Sequence, residues 1–194
     1  MMKSICVYCG SSDKIHPGYL EAARQMGEAI AGRGLELIYG AGSTGMMGAV
    51  ANGALQLGGR VTGVLPGFFN TPQLAHSGLT RLEIVDSMHA RKARLIELAD
   101  AFVALPGGFG TLEELFESLT WAQIGLHCKP IGLLNTRGYF DPLLTLVEHA
   151  QAEGFLYAEH RALFNQAEEP HALLDVLANY TPPAGLERWL TRDK

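Results

Sequence analysis

Carboxylates stand directly beside a glycine-rich loop in the middle of this chain. Residues 105–114 read LPGGFGTLEE, so a proline and three glycines precede Glu113 and Glu114. Glycine lets the backbone N–H groups of a loop approach a ligand closely. A helix that begins behind the loop adds free donors and a partial positive charge. The stretch therefore predicts a phosphate site, with a carboxylate placed to stabilise an oxocarbenium-like transition state on the attached sugar or to orient water.

The same residues also match a capping box, T-x-x-E. In that arrangement Thr111 caps the helix, and Glu114 bonds back to the backbone N–H of Thr111. The two roles are compatible, because a cap would hold Glu114 in place beside the ligand. Behind it, helical spacing predicts a set of apolar residues that face the core: Leu112, Leu115, Phe116 and Leu119.

Basic residues lie upstream, in the stretch SMHARKARLIELAD. Ser87 is a suitable N-cap for a helix there, which places Arg91, Lys92 and Arg94 in its first two turns. Cations at this end oppose the helix dipole. Arg94 fits a solvated face, whereas Arg91 and Lys92 favour a nearby anion that offsets their charge.

Two more glycine loops follow predicted strands: GSS at 10–12 and GAGSTG at 40–45. GAGSTG matches the dinucleotide fingerprint G-x-G-x-x-G, but it follows the second strand, and no acidic residue stands about 20 positions further on. A mononucleotide is therefore favoured over a dinucleotide. The P-loop pattern G-x-x-x-x-G-K-[ST] is also missing from the sequence. One such loop would indicate a tight turn, but three loops after three strands indicate a ligand that carries phosphate.

These loops need elements to position them, and the sequence alternates strand-like with helix-like runs. Strands are predicted at 4–9, 35–40, 60–66, 82–87, 101–106 and 129–135. Helices are predicted from Pro17 to about Ala31, over 45–57, from Ser87, over 111–125 and from Asp141, with 66–80 irregular and two helical pieces in the tail. Alternation of this kind indicates βαβ units. The prediction is α/β: a single doubly wound, Rossmann-like domain over 1–194, with a mainly parallel sheet flanked by helices and a C-terminal helical tail at about 182–194. Ligands then lie beyond the carboxyl ends of the strands.

Composition limits the function classes. The formal net charge is −5, which argues against nucleic acid as a partner. No apolar run reaches the length of a membrane span, and the start lacks the pattern of a signal peptide. Three cysteines indicate free thiols in a reducing compartment, so a cytoplasmic location is expected. Cys6 and Cys9 have C-x-x-C spacing but fall on opposite faces of a predicted strand, and scattered histidines predict no metal site.

Taken together, the motifs resemble those of the LONELY GUY (LOG) family. PGGFGTLEE matches the family's P-G-G-x-G-T-x-x-E, SMHARK matches its M-x-x-R-K, and GAGSTGMMGAVANGA matches its upstream glycine segment. The resemblance runs over roughly residues 3–180. It implies a Rossmann-like oligomer, expected as a homodimer, that cleaves the N-glycosidic bond of cytokinin riboside 5′-monophosphates, and in many members of AMP. Free base and ribose 5-phosphate are the products, and neither a metal nor an organic cofactor is implied.

The resemblance also implies the site residues. Arg91 and Glu114 become the catalytic pair. The expected substrate-binding residues, including those added by the glycine loops, are Ser11, Gly42, Gly45, Gln73, Met88, Lys92, Gly107, Gly108, Phe109, Gly110, Thr111, Leu112, Glu113 and Thr120. Gln73 stands where many members carry a glutamate near the base; an amide both donates and accepts, so it is able to bond an adenine edge.

Two other functions stay open at this stage. Molybdenum-cofactor carrier proteins resemble this family and hold a phosphorylated pterin without cleaving it. The family has also been labelled as lysine decarboxylases, a chemistry that needs pyridoxal phosphate on a Schiff-base lysine. The small-residue helix at 45–57 and the apolar segment LTWAQIGL are candidates for packing on a second subunit or within the chain.

Overall fold

The computed structural model describes residues 2–186, which form one seven-stranded sheet with all neighbouring strands parallel. The strand order is β4-β3-β2-β1-β5-β6-β7. The strands are β1 Ser4–Tyr8, β2 Glu36–Tyr39, β3 Val61–Pro66, β4 Arg81–Val85, β5 Ala101–Ala104, β6 Ile131–Leu134 and β7 Phe164–Ala167.

Helices cover both faces of this sheet. They are α1 Pro17–Gly32, α2 Gly45–Gln56, α3 Met88–Leu98, α4 Phe109–Gln123, α5 Asp141–Ala152 and α6 Pro170–Ala178, with short 3-10 turns at Gly67–Phe69, Thr136–Gly138 and Ala158–Leu163. One core cluster holds α1, α2 and α6 against the sheet, and a second holds α3, α4 and α5. The predicted doubly wound α/β fold is confirmed.

Strand β1 shows why the sheet is buried on both sides. Ile5 and Val7 belong to one core cluster, and Cys6 and Tyr8 belong to the other, because successive side chains of a strand alternate between faces. Cys9 follows the end of β1 and joins the first cluster. Cys6 and Cys9 therefore lie on opposite faces as predicted, and neither forms a disulfide.

The sequence analysis missed one strand. It predicted two helical pieces in the tail, and α6 confirms the first of them, but residues 164–167 pair with β6 as the edge strand β7. The sequence FNQA contains no apolar run, so its pairing with Ile131–Leu134 rather than its own pattern makes it a strand. Of the predicted tail helix, residues 182–186 contain no helix, and the rest lies outside the described residues.

Helix α2 uses its small residues inside the chain. A side chain on Gly27 of α1 would come within 2.0 Å of the Val50 carbonyl oxygen, and one on Gly53 would come within 2.1 Å of the Arg24 carbonyl oxygen. The glycines therefore allow the backbones of α1 and α2 to approach closely. Of the two packing alternatives for 45–57, the structure shows the one within the chain.

The sheet order places a topological switch point at β1. This strand pairs with β2 on one side and with β5 on the other, so the loops after β1 and β5 lie together at the carboxyl edge. The Gly10 N–H donates to the Pro106 carbonyl at 3.1 Å and joins the two loops. Among residues 2–186, no helix has the length and apolar character required to cross a membrane.

Candidate active site

A cleft of about 210 Å³ opens at this switch point. Its walls come from the ends of β1 and β2 and from α2, α3 and α4. The lining residues are Val7, Cys9, Gly10, Ser11, Gly40, Met47, Arg91, Gly108, Gly110, Thr111 and Glu114. Loops that the sequence separates by up to a hundred residues therefore share one cavity, as expected for the switch point of a doubly wound sheet.

Helix α4 begins earlier than predicted, and this removes the capping box. Its N-cap is Gly108, and the first intrahelical bond runs from the Leu112 N–H to the Gly108 carbonyl at 3.1 Å. Thr111 thus lies inside the first turn and caps nothing. Because Glu114 is one turn further in, its carboxylate is free to reach across to α3.

The first turn of α4 presents open donors. Within residues 2–186, the N–H groups of Gly108, Phe109, Gly110 and Thr111 have no hydrogen-bond acceptor. Gly108, Gly110 and Thr111 also line the cleft. Free N–H groups at a helix N-terminus, together with the partial positive charge of the helix, form an anion site. A phosphate group fits this end of the cleft.

The first turn of α2 follows the GAGSTG loop and differs from that of α4, because its N–H groups already have acceptors within the protein. The Gly45 N–H donates to the Asp13 carboxylate at 2.7 Å, and the Met46 N–H donates to the Gly10 carbonyl at 3.0 Å. The Thr44 hydroxyl donates to the Ser11 carbonyl at 2.9 Å. This loop therefore ties α2 to the β1 loop, and its donors are occupied by protein groups rather than left for a phosphate.

The predicted catalytic pair forms a direct ion pair at the centre of the cleft. Arg91 Nη1 lies 3.0 Å from Glu114 Oε1, and both side chains are largely buried, at 13% and 11% exposed. The Arg91 Nε–H donates to the Val64 carbonyl at 3.2 Å and fixes the guanidinium plane. A side chain at Gly40 would come within 1.8 Å of Arg91 Nη2, so any larger residue there would displace the Arg91 guanidinium.

The environment of Glu114 changes its proton affinity. Burial raises the pKa of Glu114, and the Arg91 guanidinium opposes that rise without cancelling it. Burial also raises the pKa of the Cys9 thiol, and the negative charge of Glu114 adds to this effect. The cleft therefore contains a carboxyl group that binds its proton more tightly than an exposed glutamate, next to a thiol that stays protonated.

The charges on α3 are balanced by protein carboxylates. Lys92 pairs with Glu113 and also with Glu117, whose Oε1 is 3.1 Å from its Nζ. These pairs lie on α3 and α4, and Lys92 is not part of the cleft lining. The predicted anion beside Arg91 and Lys92 is thus supplied by Glu114, Glu113 and Glu117.

Arg94, predicted on a solvated face, lies at the protein surface. It pairs with Glu83 on the edge strand β4 and with Glu97 of its own helix, each at 2.7 Å. A hydrogen bond from Arg94 is the main cause that lowers the pKa of Glu83. These pairs dock α3 on the edge of the sheet and take no part in the cleft.

The structure brings together part of the predicted site. Six of the predicted residues line the cleft, and they are Ser11, Arg91, Gly108, Gly110, Thr111 and Glu114. Five other lining residues are outside the list of predicted site residues: Val7, Cys9, Gly10, Gly40 and Met47. Four of these five lie in β1 or within two residues of the end of β1 or β2. Gly10 and Gly40 are the first residues of the two glycine loops that the sequence analysis named, whereas no sequence signal marked Val7, Cys9 or Met47 as site residues.

The other predicted residues lie around or behind the cleft. Gln73 is exposed on the loop over 66–80, and its backbone carbonyl accepts a hydrogen bond from the Ser43 hydroxyl at 3.2 Å. Gly42 is bridged to Ala75 of that same loop. Met88 opens α3 at the surface, and Gly107 lies behind the cleft, against Gly10.

Some of the predicted substrate-binding residues lie on an exposed face of α4. Phe109, Glu113, Phe116 and Thr120 are all exposed and fall at helical spacing. The Thr120 hydroxyl donates to the Phe116 carbonyl at 2.7 Å. Leu115 is fully buried and Leu112 and Leu119 are partly buried, but Phe116 is 42% exposed, so its predicted place in the core is wrong.

Known proteins resemble this chain over most of its length. A family model described as "Possible lysine decarboxylase" matches residues 47–177. A cytokinin riboside 5′-monophosphate phosphoribohydrolase of Rhodococcoides fascians is 52% identical over 155 residues, which cover 79% of this chain and 78% of the relative. The enzyme LOG7 of Arabidopsis thaliana, which carries the same activity name, is 44% identical over 180 residues, covering 93% and 83% of the two chains.

Solved structures share the fold at lower identity. The molybdenum cofactor binding protein of Rippkaea orientalis superposes with a TM-score of 0.70 at 22% identity, over 92% of this chain and 96% of that one. The molybdenum cofactor carrier protein of Chlamydomonas reinhardtii gives a TM-score of 0.68 at 24% identity, over 91% and 96%. The motifs, the family model and the identities over most of the sequence agree, and the chain belongs to the LONELY GUY family.

Proposed function

We propose that the protein hydrolyses the N-glycosidic bond of nucleoside 5′-monophosphates, namely N6-substituted AMP and AMP itself, and releases the free base and ribose 5-phosphate. The observation that carries the proposal is the buried Arg91–Glu114 pair, which shares one cleft with the open N-terminus of α4. An anion site next to a carboxylate suits a phosphorylated sugar. Relatives at 44% and 52% identity bear the name of this activity.

The proposed substrate spans the cleft from the helix to the ion pair. Its 5′-phosphate binds the N–H groups of Gly108, Gly110 and Thr111, and the dipole of α4 favours the negative charge. The ribose then lies over Glu114. As the bond between C1′ and the base breaks, positive charge develops on the sugar, and the carboxylate stabilises it or orients the attacking water.

Atoms balance with water as the only co-reactant. The water oxygen bonds to C1′, the electron pair of the broken bond leaves with the base, and one water proton ends on the base. Arg91 holds Glu114 through the 3.0 Å ion pair and orients the substrate. We assign Glu114 and Arg91 the catalytic roles, with Ser11 and the first turn of α4 as substrate-binding groups.

Two further properties are part of the proposal. We propose a homodimer in which the exposed face of α4 meets a second copy, because Phe109 and Phe116 are 93% and 42% exposed there. Thr120 and Glu113 lie on the same face, so in this arrangement they contact the neighbouring subunit. A cytoplasmic location is proposed from the thiols of Cys6, Cys9 and Cys128, which are all free.

The decarboxylase description finds no support in the cleft geometry. Pyridoxal chemistry needs a lysine that is able to form a Schiff base. Among the described residues that line the cleft there is no lysine, and Lys92 is held outside it by Glu113 and Glu117. A carrier function, as named for the structural neighbours, would not need the carboxylate of Glu114.

The test is an assay of products. Purified protein is incubated with AMP and with isopentenyl-AMP, and the products are separated by chromatography. We expect free base and ribose 5-phosphate in equal amounts. Glu114→Gln keeps the size of the side chain but removes its charge, so we expect it to lose most turnover, by about a hundredfold or more, while the fold is retained.

Two results would contradict this function, and a third would contradict the role of Glu114. Tight binding of AMP without products would indicate a carrier. Release of carbon dioxide from lysine with added pyridoxal phosphate would indicate a decarboxylase. Near-normal turnover by Glu114→Gln would remove the catalytic role of the carboxylate.

A further inference from the structure

A tyrosine from a fourth loop contacts the segment that leads into the proposed phosphate site. Tyr139 lies just after the turn Thr136–Gly138 that follows β6, and its hydroxyl donates to the Gly107 carbonyl at 2.5 Å. Strand β6 pairs with β5, so the two loops are neighbours at the carboxyl edge of the sheet. Neither the glycine motifs nor the paired catalytic motifs include this residue.

The contact fixes the peptide that leads into α4. In a trans peptide the C=O and the N–H point in opposite directions. When the Gly107 carbonyl is held by Tyr139, the Gly108 N–H of the same peptide is turned to the opposite side. Gly108 lines the cleft, and within residues 2–186 its N–H has no acceptor. The Tyr139 hydroxyl therefore sets the direction in which the free Gly108 N–H points.

The neighbouring peptide is held in a similar way. The Pro106 carbonyl accepts from the Gly10 N–H at 3.1 Å. A side chain on Gly107 would come within 2.1 Å of the Thr111 hydroxyl oxygen and 2.8 Å of the Gly10 nitrogen, so Gly107 packs closely between α4 and the loop after β1. Both carbonyls before α4 are thus occupied by protein donors, and the N–H groups stay available for a ligand.

The two residues that follow Tyr139 are held by a buried amide. The Asn135 side chain accepts from the Phe140 N–H and donates to the Asp141 carboxylate, each at 2.7 Å. Asn135 is 7% exposed. The ring of Tyr19 packs edge-on against Tyr139 with 6.0 Å between centroids. The Tyr139 ring is therefore placed by the backbone that Asn135 holds and by its contact with Tyr19, while the residue remains 38% exposed.

We propose that Tyr139 is a positioning residue for phosphate recognition: its hydroxyl orients the Gly107–Gly108 peptide so that the Gly108 N–H binds the 5′-phosphate. This inference rests on the proposed function, because it takes the first turn of α4 as the phosphate site. It assigns the loop after β6 a role in selecting phosphorylated ligands over the corresponding nucleosides.

The test compares Tyr139→Phe with the wild type, using ribose 5-phosphate as the probe in titration calorimetry and AMP in steady-state assays. Loss of one oriented donor to a charged group should weaken ribose 5-phosphate binding by about tenfold. KM for AMP should rise by a similar factor while kcat changes little, because Glu114 and Arg91 are untouched. Tyr19→Phe is the matched control: in the described chain its hydroxyl has no hydrogen-bond partner, and we expect wild-type affinity.

The outcomes separate this inference from the proposed function. Wild-type affinity of Tyr139→Phe for ribose 5-phosphate would overturn the role of Tyr139, as would an equal loss in Tyr19→Phe or a fall in kcat without a change in KM. If the wild type binds ribose 5-phosphate but does not cleave AMP, hydrolysis fails, and the calorimetric comparison still decides the role of Tyr139. A wild type that binds neither ribose 5-phosphate nor AMP would overturn both.

Discussion

At the scale of single residues, the site depends on a charge pair that is largely removed from water. Glu114 and Arg91 are nearly buried and 3.0 Å apart, and each has its orientation set by the other. Burial of a carboxylate favours its protonated form, while a nearby guanidinium favours the charged form. Here burial is the stronger of the two influences, so the pKa of Glu114 is raised. Catalysis by a carboxylate at this position therefore has a pH limit.

This limit gives the first prediction at residue scale. In the proposed mechanism an ionised Glu114 stabilises positive charge on the sugar, and the pKa of Glu114 lies above the ordinary value of 4.5. As pH falls through that raised pKa, the carboxylate takes up a proton and kcat/KM should fall about tenfold per pH unit below it. Because Arg91 lowers the pKa, Arg91→Gln should raise it further and move its titration to higher pH.

Two measurements check this prediction. The pH profile of kcat/KM gives the acid limb in the wild type, and carbon NMR of labelled glutamate gives the titration of Glu114 in Arg91→Gln even where turnover is lost. Arg94→Gln is the control, since Arg94 pairs with Glu83 and Glu97 at the surface and should leave the Glu114 titration unchanged. A titration of Glu114 at or below 4.5 in the wild type would contradict the raised pKa.

At the scale of elements, two helix N-termini look alike in the sequence but differ in whether their N–H groups have hydrogen-bond acceptors. Both α2 and α4 follow a strand and a glycine-rich loop. The first turn of α2 is filled by the Asp13 carboxylate and by the Gly10 carbonyl. The first turn of α4 keeps its donors open. Only α4 is thus available to a phosphate, and the glycines of the α2 loop serve close packing, as at Gly45 against the backbone of Ser11.

The difference predicts separate effects on stability and on binding. Asp13→Ala removes the acceptor for the Gly45 N–H, and loss of such a cap should lower the free energy of unfolding by about 0.5–2 kcal/mol. Denaturant unfolding measures this change. Asp13→Asn keeps an oxygen acceptor and should retain most of the stability. In both variants we expect KM for AMP within about twofold of the wild type, as for a helix end that holds no substrate.

A rise in KM would point to a different phosphate site. If Asp13→Ala weakened AMP binding as strongly as changes in the first turn of α4, the α2 end would have to carry part of the phosphate. Unchanged stability in Asp13→Ala would show instead that the 2.7 Å contact contributes little to the helix.

At the scale of the whole molecule, the sheet order brings distant segments to one place. Strand β1 lies between β2 and β5, so loops near Gly10, Gly40 and Gly108 meet at its carboxyl end. The opposite side of α4 faces outward with two phenylalanines exposed. One helix thus presents its first turn to the cleft and its outer face to the proposed second copy, which links assembly to the site.

The proposed dimer gives the prediction at this scale. Phe116→Glu places a charge on the exposed face of α4, and a charge in an apolar interface should weaken association by about a hundredfold or more. Analytical ultracentrifugation over a range of concentrations should show a dimer for the wild type and a monomer for the variant. Phe155→Glu, which changes another exposed phenylalanine at 83% exposure, is the control and should remain dimeric.

A monomeric wild type would contradict the proposed assembly. A dimer that survives Phe116→Glu would place the interface elsewhere on the surface. Circular dichroism of both variants checks that the fold is intact, which is expected because neither ring is buried.

The sequence by itself determined the fold class and six of the seven strands, and the resemblance of its motifs to the LONELY GUY family implied the Arg91–Glu114 pair. These follow from local patterns: apolar runs, glycine loops after them, and two motifs whose residues stand in fixed order. Local patterns failed for β7, whose residues pair with β6 despite their polarity. They also failed at Thr111, because a T-x-x-E match does not reveal that Gly108 already begins the helix.

The tertiary structure alone decided which glycine loop is open to a phosphate. A helix N-terminus looks the same in sequence whether its donors are free or filled, since the acceptor comes from elsewhere in the chain. Asp13 fills the end of α2 across 32 positions, and Tyr139 holds the loop before α4 across 32 positions in the other direction. Hydrogen bonds between segments this far apart form only when the strand order brings the segments together. The motifs therefore identified residues of the site, but the contacts between those residues required the tertiary structure.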